Sequence, residues 1–202
     1  MQKMSDEELK KIEKFKTLAR WMYQDSKAAL YPPAKATFVV ATALLNFIEI
    51  CGLFLIGPKD SNGKDTSATA RFNAFFDYMG QEYGNVRMSN PVVYDELRCG
   101  MTHEGLPKNR PCCIYGVNKV HSDEELRNEL GISHILLNSG TPHRATCGVI
   151  YNGTWHVIVG KLIIDFEDAV NKFISEIESG QRGSAKFFEA ADRINLVNFI
   201  TN

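Results

Sequence analysis

The chain has 202 residues, with 23 basic and 24 acidic side chains and a formal net charge of −1. That length suits one domain, whose core needs no disulfide or structural metal. Near-neutral charge excludes a surface that coats nucleic acid at large, although a local phosphate site remains open; five cysteines, odd in number and irregularly spaced, exclude a disulfide framework.

In chain order, Ser5 and Glu8 make a capping box. Leu9, Ile12, Phe15, Ala19 and Met22 then recur at helical spacing, and Pro32-Pro33 closes this first helix. A second helix is expected from about Ala34 to Ile56, before Gly57-Pro58. Its stretch from Thr37 to Gly57 is apolar enough to suggest a membrane span. Asn46 and Glu49 sit near the middle, and a carboxylate at bilayer depth costs roughly 2.5–3.5 kcal/mol. A buried core helix is therefore expected, with no membrane contact. No apolar leader is visible at the charged N-terminus, so the expected compartment is the cytoplasm, which also suits reduced thiols.

Lys59 to Asp65 is a polar loop, and a third helix beginning near Thr66 carries Phe72, Phe75, Phe76 and Met79. The loop is no phosphate cradle, because five residues separate Gly57 from Gly63 and Asp65 follows Lys64. Ser89-Asn90-Pro91 reads as a helix start, with Gly105-Leu106-Pro107 at the other end. Ser122 and Glu125 make a second capping box before Gly131. Ile135 to Leu137, Val149 to Tyr151, Trp155 to Val159 and Leu162 to Ile164 read as strands, with Asn152-Gly153 as a hairpin turn. Asp165 opens another helix, and a last one spans about Ser184 to Phe199. The expected fold is mainly α in one domain over 1–202: a helical bundle core over 1–107, then a small antiparallel β hairpin or sheet and C-terminal helices over 108–202 packed on it.

Two groupings carry chemistry. Thr42, Asn46 and Glu49 fall at i, i+4 and i+7 and make one polar stripe on the apolar second helix. A carboxylate buried there needs a cationic partner. The other grouping is Tyr94-Asp-Glu-Leu-Arg98-Cys-Gly-Met-Thr-His103-Glu-Gly-Leu-Pro-Lys108. Arg98 and His103 are five apart, about 140° around an α-helix, so they do not share a narrow face. The length of the arginine and the small Gly100 between them allow an approach. An arginine beside a readily protonated histidine in a last helical turn suits work on a phosphate. Cys99 and His103, four apart, could also pair as nucleophile and base, but such sites usually join distant segments. Neither Cys99, His103, Cys112 and Cys113 nor His134, His143 and Cys147 match a standard zinc spacing, so no metal is expected.

The string Arg98-x4-His103, in a helix beginning after Asn90-Pro91, resembles the Arg-x(4–6)-His motif of the HEPN superfamily, and Leu97 to Lys108 is similar to one group within it. Arg127-x6-His134 fits the bare pattern too, but Gly131 interrupts its helix. The resemblance implies a HEPN-like helical bundle, commonly a homodimer with two motifs facing across a cleft, acting on RNA as a metal-independent ribonuclease in defence or RNA processing. It implies no cofactor. Arg98 and His103 would be catalytic; Glu49 would orient Arg98, with Asn46 and Asp95 in support. Cys99 stands where active members often carry Asn, Asp or His. The alternative is therefore a non-catalytic regulatory module that binds RNA, a nucleotide or a cognate regulatory protein in the same cleft. A third reading has Arg98 and Glu49 only tying the bundle together.

Overall fold

The computed structural model describes residues 4–30, 36–89, 91–105, 108, 112–115, 144–145, 148–151, 154–182 and 184–199; for 89, 112–115, 144–145, 148–151, 154–156 and 199 it describes the backbone alone. The chain is mainly helical. The helices are α1 (Asp6–Leu30), α2 (Thr37–Ile56), α3 (Ala68–Tyr78), α4 (Gln81–Ser89), α5 (Tyr94–Glu104), α6 (Val159–Glu178), α7 (Ala185–Arg193) and α8 (Leu196–Phe199). Among them α5 is a π-helix.

α2 is the axis of the assembly, with α1, α3, α5, α6 and α7 packed round it. Its length and composition would suit a membrane span, but half of its most apolar window is buried inside the protein. Leu44, Leu45, Ile48 and Phe54 lie in the core, whereas Phe38 and Val39 near its start are exposed. Gly52 lets α3 come close: a Cβ there would lie 1.9 Å from the Arg71 carbonyl oxygen. Aromatic rings knit the layers, with Phe15 of α1 meeting Phe54 of α2, Phe173 of α6 and Phe187 of α7 at 4.5–5.9 Å between centroids. The core thus crosses the 107/108 division, because α6 and α7 supply rings to the same cluster as α1 and α2.

The Ser5–Glu8 capping box forms as its spacing requires: the Ser5 amide donates to Glu8 and the Glu8 amide to the Ser5 hydroxyl. Elsewhere the helix boundaries depart from expectation. Gly80, at φ 147°, breaks the chain after α3, and Gln81–Ser89 forms a separate helix. Ser89 therefore closes α4 instead of capping α5. Leu162 to Ile164, expected as a strand, belongs to α6, which begins at Val159 rather than Asp165. Val159, Leu162, Ile163 and Phe166 follow helical spacing and are all buried; their branched side chains gave the segment its strand look. The last expected helix is two, interrupted at Asn195, which has φ 51°.

Backbone is described for four short strands, β1 (Cys112–Tyr115), β2 (Arg144–Ala145), β3 (Gly148–Tyr151) and β4 (Thr154–Ile158), in the order β1-β4-β3-β2. β1 runs parallel to β4, which a purely antiparallel arrangement did not anticipate. Pro32-Pro33, Ser122, Glu125, Arg127, Gly131, Ile135 to Leu137, His134, His143, Cys147 and the Asn152-Gly153 turn lie outside the described residues.

Carboxylates fasten distant elements. Arg193 of α7 holds Asp65 with two 3.0 Å hydrogen bonds, and Arg182 holds Glu176. Arg193 and Lys59 keep the Asp65 pKa well below the usual carboxylate range. Burial alone would raise that of Glu176, but Arg182 and Tyr78 together bring it below its ordinary value. A carboxylate with a depressed folded pKa contributes stability above its unfolded pKa and loses it as pH falls through the folded one. Thermal melting is therefore expected to be flat from about pH 7 to about pH 5 and to fall from about pH 4 downwards. A melting temperature that rises on acidification would overturn this linkage.

Candidate active site

The polar stripe of α2 faces α5. Glu49 Oε2 lies 2.5 Å from Arg98 Nη2, with both side chains largely buried, 15% and 12% exposed. Arg98 Nη1 in turn lies 3.4 Å from His103 Nε2. The chain of groups runs from carboxylate through guanidinium to an imidazole at the surface, since His103 itself is exposed.

The π-helix explains why residues five apart meet. Hydrogen bonds from i to i+5 stack such residues on successive turns, whereas an α-helix would splay them by about 140°. The expectation that Arg98 and His103 occupy different faces is corrected by this winding. Gly105, at φ 73°, ends the helix in a left-handed conformation. The Lys108 amide then donates to the Glu96 carbonyl at 2.8 Å, and the Lys108 ammonium pairs with Glu104.

Asn46 does not touch Arg98 but clasps α5 one residue before the histidine. Its side-chain amide donates to Thr102 Oγ1 at 3.1 Å and to the Thr42 carbonyl at 2.8 Å. Thr102 went unremarked in the sequence. Tyr94 is the second addition. Its ring lies 5.4 Å from the Arg98 guanidinium and 5.5 Å from Phe72, so it joins the core to the cation. Burial raises the Tyr94 pKa, helped by a hydrogen bond with Cys99. Arg98 is the neighbour that His103 meets. Asp95, expected to support Arg98 from one turn away, is exposed on α5; its charge instead helps raise the Lys108 pKa, after the larger effect of Glu104. In a π-helix the three-residue spacing of Asp95 and Arg98 no longer places them on one face.

Two atoms of the pair lack an aligned hydrogen bond, Glu49 Oε2 and Arg98 Nε, although the charges touch. The pair is held by charge and by Tyr94 rather than by a full set of hydrogen bonds. Removing one member strands the other: Glu49→Gln is expected to cost about 3 kcal/mol of stability by urea unfolding, and a loss under about 0.5 kcal/mol would show that the pair contributes little to the fold.

Among the described residues, no group of three or more His, Cys, Asp and Glu is placed to hold a metal. Cys51 and Cys99 are free thiols; burial pushes the Cys51 pKa up and keeps it protonated. Compared with protein families, with curated proteins and with solved structures, the chain matches none.

Proposed function

We propose that the chain is a HEPN-like bundle with a small β appendage and acts as a metal-independent endoribonuclease, as a cytoplasmic homodimer. The observation that carries this reading is the contact of Arg98 with His103, backed by Glu49. His103 would act as the general base and take the proton from an RNA 2′-OH. The 2′-oxygen would attack the adjacent phosphorus and the 5′-oxygen would leave, giving a 2′,3′-cyclic phosphate and a 5′-hydroxyl. Arg98 would stabilise the charge that builds on the phosphoryl oxygens. Glu49 would position Arg98, and Asn46, through Thr102, would hold the histidine turn of α5. A dimer would bring a second His103 to the cleft to protonate the leaving oxygen. Phe38 and Val39, exposed on α2, offer apolar surface for that association.

A second reading keeps the cleft without the chemistry: a regulatory module binding RNA, a nucleotide or a cognate protein. Cys99 favours it, because the polar residue that active HEPN proteins often carry there is replaced by a free thiol. The deciding experiment is cleavage of a mixed RNA pool in EDTA by the wild type and by His103→Ala. Cleavage by the wild type alone supports the ribonuclease; cleavage by neither favours the binding module.

A further inference from the structure

A concave site lies between the α3–α4 turn and the C-terminal half of α6, an open cleft of about 530 Å³. Its walls carry three cations, Arg87, Lys172 and Arg182, against two carboxylates, Asp77 and Glu176. Each arginine meets its carboxylate through Nε: Arg87 reaches Asp77 at 2.5 Å and Arg182 reaches Glu176 at 2.8 Å. Both bonds run through Nε alone, and among the described residues the terminal amino groups of the two guanidinia make no hydrogen bond, which leaves them for another acceptor. The Lys172 ammonium stands 3.9 Å from Glu176, beyond a short hydrogen bond, and its side chain is 62% exposed.

Tyr78 organises the floor. Lys172 lies 4.8 Å and Arg182 5.1 Å from its ring centroid, so the phenol gathers both cations. Its hydroxyl is buried beside Glu176 without an aligned hydrogen bond. Burial, then Glu176, raises its pKa, which keeps the hydroxyl protonated as a donor. Gly80 and Gly84 leave the α4 side open: a Cβ at Gly80 would meet nothing within 4 Å, and one at Gly84 only Asp77 Oδ1 at 3.8 Å. Met88, also on the lining, is largely exposed and supplies apolar surface.

We infer that this cleft binds a small phosphomonoester, with the phosphate on Arg87, Arg182 and Lys172 and the organic arm toward Met88. A planar guanidinium matches a phosphate with two parallel donors, and the excess of one cation over the carboxylates favours an anion there. The volume exceeds what a bare phosphate fills and falls in the range of small-ligand pockets. The inference stands apart from the ribonuclease reading, since none of these residues belongs to the Arg98–His103 site.

The test uses the full chain and phenyl phosphate as probe, with inorganic phosphate and benzyl alcohol as partial probes, by titration calorimetry at constant ionic strength. Saturable binding of phenyl phosphate is expected, at least about tenfold tighter than inorganic phosphate. Arg182→Gln and Lys172→Gln should each weaken it about tenfold, the change expected of one lost charge-assisted contact worth about 1.4 kcal/mol. Gly84→Leu fills the cleft while keeping every charge and a good helix former on α4, and should abolish binding without lowering the melting temperature. No saturable binding, or binding indifferent to Gly84→Leu and Lys172→Gln in folded protein, overturns the inference. Repeating the titration with His103→Ala separates the two sites: binding there should match the wild type, and loss of binding would also overturn it.

Discussion

Replacing His103 with alanine is expected to lower RNA cleavage about 10²–10⁴-fold, the usual contribution of a positioned general acid or base. The variant is informative because His103 is exposed at the end of α5 and its imidazole contacts Arg98 only at 3.4 Å. Its removal costs Arg98 only that long contact and leaves the Glu49 pair in place, so the fold and the melting temperature should be little changed. Arg98→Ala is a poorer probe. It strands Glu49, whose side chain is only 15% exposed, and so mixes stability with catalysis. Arg98→Lys keeps the charge but not the forked geometry that spans Glu49 and His103. A real ribonuclease should lose about 10²-fold or more in this variant while staying folded. Wild-type cleavage in EDTA that persists in His103→Ala would assign the activity to other residues.

The second large effect concerns packing. Gly52→Ala should destabilise the protein by about 3 kcal/mol, at the upper end of what overpacking costs. For a chain of this size that corresponds to a fall of roughly 10 °C in melting temperature. The added Cβ would stand 1.9 Å from the Arg71 carbonyl oxygen and 2.4 Å from its carbon, and backbone cannot swing aside as a side chain can. α3 would have to retreat from α2 and carry Phe72, Phe75 and Phe76 with it. Ala28→Gly, an exposed change in α1, serves as a comparison and should cost about 1 kcal/mol through helix propensity. A Gly52→Ala protein within about 0.5 kcal/mol of wild type by urea unfolding would mean that the α2–α3 crossing is looser than these distances state.

Local signals were legible where one short-range interaction decides the outcome. The Ser5–Glu8 box, the Gly57 end of α2 and the Gly105 end of α5 each depend on chemistry within one turn of chain. The polar stripe of α2 was legible as well, because Asn46 and Glu49 are conspicuous among apolar neighbours and a buried carboxylate needs a partner. Winding and handover between elements were not. Val159 to Ile164 carries branched residues that suit either a strand or a helix, and only its burial against α1 and α2 selects the helix. Nothing local marks Gly52 as a crossing point, since the requirement is set by Arg71 nineteen positions away.

By itself, then, the sequence determined that the chain is mainly helical, that α2 is its apolar axis, and that Glu49, Arg98 and His103 are its unusual polar residues. Composition and periodicity suffice for that, because burial of an apolar stripe is dictated along a single helix. Only the tertiary structure decided that these three residues meet. Their contact requires α5 to be wound as a π-helix, to lie across the polar face of α2 and to be held there through Asn46, Thr102 and Tyr94. The same winding set Asp95 aside. A five-residue spacing does not announce its own pitch; the pitch is set by the packing of α5 against α2 and α3.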